Sequence, residues 1–123
     1  MALEVYWGSG SPFAWRVLLS LEIKEVPFES KRLLFNEQDL KSIEFLAINP
    51  RGKVPAIRHD GFCLHESIAI LCYLEELYPI PALFGGSAAE QGQIWCAIME
   101  CINYLEPQMA IFAGVIFSGQ QLE

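Results

Sequence analysis

The sequence predicts an α/β layer with one parallel crossover and a terminal hairpin, followed by a helical segment. Three observations lead to this class. Between Leu3 and Tyr78 the apolar residues switch between strand and helix spacing in the order βαβ, α, ββα. Asp60-Gly61 separates two short apolar runs, which is a strong hairpin signal. From Ala88 onward the spacing is helical only, through Ile94-Trp95, Ile98, Cys101-Ile102 and Leu105.

Leu3 to Trp7 alternates and reads as the first strand. Gly8 to Pro12 is a turn, with Pro12 suited to the first helical position and Ser11 to its N-cap. Trp15, Val17, Leu18, Leu19 and Leu21 fill a helix that runs to about Lys24. Pro27-Phe28 opens a second strand through Leu34. Asn36 caps a helix over Glu37–Ala47, with Leu40, Ile43, Phe45 and Leu46 as its apolar set, and Asn49-Pro50 ends it. Val54–Arg58 and Phe62–His65 are short strands. Ser67 starts a helix with Ile68, Ile70, Leu71, Leu74 and Leu77 as its buried stripe, and Tyr78-Pro79 stops it. The division expected is a first domain over 1–80, a linker over 81–87 and a helical segment over 88–123. Pro107 should kink or break the last helix, and Met109 to Phe117 is apolar almost all round, so it expects cover on several faces.

With 53% hydrophobic and 19% charged residues, the composition is that of a folded chain. A net charge of −7 argues against nucleic acid or an anionic membrane as partner, while leaving small anions open to local basic residues. No apolar run reaches the roughly 20 residues that span a bilayer. The N-terminus lacks a signal-peptide pattern, so a cytoplasmic setting is expected. Cys63, Cys72, Cys96 and Cys101 form no C-x-x-C pair and sit in apolar sequence, the setting of buried free thiols. Cys63 and His65 can share a strand face, but further ligands at metal spacing are lacking, so no metal is expected.

Three loops carry the residues with chemistry. Ser11, at a helix N-terminus, is either an ordinary cap or a hydroxyl donor to a nearby thiolate or carboxylate. Val54-Pro55 is either a protected edge or a backbone that pairs with an extended peptide ligand. Glu66-Ser67 is either helix-start chemistry or a site for an amino-acid head group, with Ser67 on the carboxylate and Glu66 on the ammonium. Lys41 and Lys53 are solvated lysines or partners of a second carboxylate.

In combination, Ser11-Pro12-Phe13-Ala14-x-Arg16-Val17, Asn49-Pro50-Arg51-Gly52-Lys53-Val54-Pro55 and His65-Glu66-Ser67-Ile68-Ala69-Ile70 resemble the N-terminal domain of the cytosolic glutathione transferases. Glu75-Glu76-Leu77-Tyr78-Pro79 resembles the family's domain exit. The resemblance implies a thioredoxin-like fold and an all-helical second domain. It implies glutathione as co-substrate, a small electrophile as second substrate and a homodimer. Carried over by position, Ser11 stabilises the thiolate, Phe13 lines the thiol pocket and Val54 pairs with the cysteinyl backbone. Pro55 is the cis proline, Glu66 and Ser67 bind the γ-glutamyl end, and Lys41 and Lys53 bind the glycyl carboxylate. Serine where omega-type members carry cysteine disfavours thiol transfer, and Tyr6 ranks second to Ser11. The helical part stops after about one kinked helix, so a truncated second domain is expected. The activity implied for the intact protein is conjugation of glutathione thiolate to an electrophile. The alternatives are a glutathione-dependent isomerase or dehalogenase, or a non-catalytic interaction module.

Overall fold

The computed structural model describes residues 2–119 and divides into two compact units, 1–83 and 84–123. The first unit carries β1 (Leu3–Gly8), α1 (Pro12–Ile23), β2 (Glu29–Leu33), α2 (Glu37–Leu40), α3 (Ile43–Leu46), β3 (Ala56–His59), β4 (Phe62–His65) and α4 (Ser67–Leu77). Its sheet has the order β2-β1-β3-β4, with β1 parallel to β2 and the remaining pairs antiparallel. This is the expected thioredoxin-like order. The hairpin turn places Asp60 at φ 50° and Gly61 at φ 87°, the paired left-handed geometry of a tight two-residue connection.

Alternation along β1 sends its side chains to two cores. On one face Leu3 and Val5 meet Ile57, Val17 and Leu21 of α1, and Ile70 and Leu74 of α4. On the other face Tyr6 and Ala56 pack with Phe45 and Ile48. Ala14, Val17 and Leu21 are buried, whereas Trp15, Leu19 and Ile23, spaced four apart on another face, are exposed.

The single helix expected over 37–47 is two short ones. Ser42 breaks it by capping α3: its Oγ accepts from the Phe45 amide at 3.1 Å and donates to the Asp39 carbonyl at 3.0 Å. Phe45 is then the one buried anchor of α3, and Ile43 faces solvent. β3 begins at Ala56, so Val54 and Pro55 lie in the turn before it and not in the strand. The cysteines also depart from expectation: Cys72, Cys96 and Cys101 are exposed and Cys63 is half-buried.

One buried cation organises the end of this unit. The Lys24 side chain is fully buried; its Nζ donates to Glu75 Oε1 at 2.6 Å and to the carbonyls of Tyr78 and Pro81. Glu75 Oε2 accepts the Leu83 amide at 2.7 Å. The ammonium's three donors thus meet three oxygens.

The second unit starts with Phe84 stacked on Trp95 at 5.0 Å between ring centroids. Ser87 caps α5 (Ala88–Glu100), and Glu90 reaches back to the Gly86 amide, a variant of the capping box. As expected, the α-helix is interrupted before Pro107, although the helical path continues beyond it. A π turn over Cys101–Leu105 precedes α6 (Glu106–Ser118), and the Glu106 amide bonds back to Cys101. The wider turn relieves the clash that a proline ring makes with the carbonyl four residues earlier. Among the described residues no helix is long and apolar enough to cross a membrane.

Replacing Lys24 by Met leaves Glu75 and two carbonyls without their cation. The expected loss is about 3 kcal/mol of stability, read as a lower denaturant midpoint; an unchanged midpoint would refute the role. A second expectation concerns Glu4 and Arg58, paired across β1 and β3 through two hydrogen bonds. The Arg58 guanidinium holds the Glu4 carboxyl below the usual carboxylate range. The pair therefore adds stability above the unfolded Glu value, about 4.3, and loses it as pH falls through the lower folded value. Arg58→Met should flatten the acid limb of stability against pH, measured by urea unfolding from about pH 6 to about pH 3.

Candidate functional site

Six of the eight residues singled out from sequence line one open cleft of about 210 Å³ in the first unit: Phe13, Lys53, Val54, Pro55, Glu66 and Ser67. Asn49 and Arg51 complete its lining. Ser11 and Lys41 stand outside the lining. Ser11, two residues before Phe13, is buried and caps α1, its Oγ accepting from the Ala14 amide at 3.1 Å. A hydroxyl used this way keeps its hydrogen for another acceptor. Lys41 Nζ donates to the Arg51 carbonyl at 3.2 Å and so braces the loop behind the cleft.

That loop is built around Asn49. Its side chain donates to the Lys53 carbonyl at 2.7 Å and accepts the Arg51 amide at 3.0 Å, and the residue is 2% exposed. Gly52 closes the turn at φ 63°, where a Cβ would sit 2.7 Å from the Leu40 carbonyl oxygen. In the sequence Asn49 reads as the end of a helix. An asparagine opening a four-residue turn that contains glycine is the signal for its second role. The Val54-Pro55 peptide beyond the turn is cis.

The β4–α4 junction also lines the cleft, through Glu66 and Ser67. Glu66 is the N-cap of α4 and has φ 72°, a region that non-glycine residues rarely occupy. Strained backbone of this kind concentrates at ligand sites. No side chain caps α4, whereas Ser11, Asn36, Ser42 and Ser87 cap α1, α2, α3 and α5. The amides at the start of α4 thus carry the positive end of the helix dipole without a side-chain acceptor. Arg16 reaches this wall from α1: Nη1 donates to Ser67 Oγ at 3.2 Å, and the guanidinium lies 5.2 Å from the Phe13 ring centroid. Neither Arg16 nor Arg51 stands out as a site residue in the sequence, because each is one basic residue inside a motif with other conspicuous features.

Tyr6 takes no part in the cleft lining. It is buried against Phe45 at 5.7 Å between ring centroids, and its hydroxyl donates to Glu4 at 3.4 Å. Burial pushes its phenol pKa up. Ser9 is an exposed turn residue. The cleft therefore offers two cations, Arg51 and Lys53, from the Asn49 loop and a carboxylate beside an uncapped helix start from the β4–α4 junction. It suits an elongated ligand with acidic groups at both ends and an ammonium at one of them.

Residues 10–77 match the family model described as "Glutathione S-transferase, N-terminal domain". Glutathione S-transferase A of Pleuronectes platessa is 37% identical over 101 residues, which is 80% of this chain and 45% of that protein. A probable maleylacetoacetate isomerase of Vibrio cholerae is 31% identical over 109 residues, 87% of this chain and 50% of that protein. Among solved structures, a glutathione S-transferase from the Antarctic clam Laternula elliptica superposes with a TM-score of 0.86 at 33% identity. That superposition covers 100% of this chain and 56% of the clam chain. A sulfitobacter homologue solved with bound glutathione shares the fold, at TM-score 0.80 and 23% identity, over 99% of this chain and 57% of its own. The chain spans about half the length of the curated relatives it matches. With the motif-bearing loops assembled around one cleft and the family model covering more than half of its residues, the chain belongs to the glutathione S-transferase family.

Proposed function

We propose that this chain forms the glutathione-binding half of a transferase that joins the glutathione thiolate to an electrophile. The observation that supports the reading is the set of residues that line the cleft together. Glutathione holds an α-carboxylate and an ammonium at its γ-glutamyl end, a peptide backbone in the middle and a second carboxylate at its glycyl end. Ser67 and Glu66 suit the first end, Val54 and Pro55 the backbone, and Lys53 with Arg51 the second carboxylate. Lys41 supports that last contact by holding the Arg51 carbonyl. Phe13 gives the thiol an apolar neighbour.

Ser11 supplies the chemical step. Its Oγ accepts from the α1 backbone, so its hydrogen is left to donate to the ligand's sulfur. The positive end of α1 lies beside it. Both favour thiolate over thiol and lower the thiol pKa toward neutrality. The thiolate lone pair then forms a bond to an electrophilic carbon, and the leaving group departs with its electron pair. Orientation of the peptide supplies the remainder of the acceleration. A homodimer and a cytoplasmic setting belong to the same proposal on the strength of the family resemblance. A second reading, in which glutathione adds to the substrate and is released after a double bond isomerises, is favoured by the likeness to the Vibrio cholerae isomerase.

Two outcomes are expected. Ser67→Ala should weaken glutathione binding by about 10-fold in calorimetric titration, the cost of one hydrogen bond to a charged group. Unchanged affinity would remove Ser67 from the site. Ser11→Ala should leave binding within about 3-fold but move the onset of ultraviolet thiolate absorbance upward, toward the free-thiol value of about 8.5. An unmoved onset would show that another group ionises the thiol.

A further inference from the structure

Ser67 has a feature that a simple cleft wall does not require. A hydroxyl has one hydrogen and two lone pairs, whereas a guanidinium can only donate. The 3.2 Å contact from Arg16 Nη1 therefore uses Ser67 Oγ as acceptor and leaves its hydrogen to point elsewhere. Among the described residues that hydrogen has no acceptor within the protein, and Ser67 lines the cleft. The helix does not need the side chain either, because the N-cap position belongs to Glu66.

Arg16 is itself held in place. Its guanidinium lies over the Phe13 ring, one turn earlier on α1, and Phe13 lines the same cleft. A planar cation thus bridges an aromatic ring of α1 and the first residue of α4. It stands behind Ser67, and a carboxylate that accepts the Ser67 hydrogen is strengthened by it. A hydrogen bond that passes its polarisation along a short chain in a partly buried setting is stronger than an isolated one.

We infer that Arg16 is a positioning residue for the α-carboxylate of the γ-glutamyl end, acting through the Ser67 hydroxyl and not by touching the ligand. The inference rests on the proposed glutathione site. It adds that recognition of this end is a relay, Arg16 to Ser67 to carboxylate, in which the arginine fixes which way the serine donates. The ligand group opposite Ser67 must then be an acceptor, and an ammonium there, which can only donate, is rejected.

The test compares two ligands on the full chain by calorimetry: glutathione, and its analogue with 4-aminobutyryl in place of γ-glutamyl, which lacks only that carboxylate. Arg16→Met should weaken glutathione by about 10-fold and the analogue by less than about 2-fold, as coupled partners do. Arg16→Lys, which keeps the charge but not the planar fork, should recover part of the glutathione affinity and leave the analogue unchanged. Equal losses against both ligands would show a structural role for Arg16 and overturn the inference, as would full retention of glutathione affinity. Because each comparison is made within one variant, partial unfolding affects both ligands alike. Failure of the unaltered chain to bind glutathione is a different result: it overturns the proposed function, and the relay with it.

Discussion

The ion pair between buried Lys24 and half-buried Glu75 sets the register of α1 against α4, and the cleft depends on that register. The pair joins residues 51 apart in the chain, and so does the Arg16–Ser67 contact. Equal offsets at two points mean that α1 and α4 run parallel without slipping. The ties are eight residues apart on each helix, about 12 Å along the axis. One is an ion pair with a buried lysine at the C-terminal ends and the other a hydrogen bond near the N-terminal ends. The apolar layer of Val17, Leu21, Ile70 and Leu74 lies between them. Hydrophobic burial drives the helices together but is non-directional. The polar ties specify how they meet.

Parallel helices bring two N-termini to the same end of the unit. Ser11 and Phe13 begin one, and Glu66 and Ser67 begin the other. Both ends present positive partial charge, and the Asn49 loop adds Arg51 and Lys53 from the third side. A chain of net charge −7 thereby keeps a local setting for acidic groups. The long-range field and the local field have opposite sign, and at the ionic strength of a cell the local one decides, since screening acts over about 8 Å.

Features set by adjacent residues were legible in the sequence. Ser11 before Pro12 announced the α1 cap, Asp60-Gly61 the hairpin and Tyr78-Pro79 the end of α4, because each depends on backbone geometry within one turn. The three motif loops, whose residues line one cleft, were picked out for the same reason. What was hidden depends on partners distant in sequence. Lys24 looked like an ordinary helix end, although its oxygens come from Glu75, Tyr78 and Pro81. Which apolar residues of α1 are buried was hidden too, because apolar character alone does not say which face a helix buries. Asn49 and Arg16 act on other site residues, so neither shows itself as a ligand contact. The split at Ser42 and the π turn before Pro107 are choices between nearly balanced local geometries.

The two ties also limit how this part of the chain can change in length. Each residue added to or removed from a helix turns everything beyond it by about 100°. A one-residue deletion between Arg16 and Lys24 would keep either the cleft tie or the ion pair, but not both. A matching deletion between Ser67 and Glu75 would restore the pairing. Insertions and deletions in α1 and α4 are therefore acceptable only as coordinated events, while the side chains on their outer faces stay free to vary.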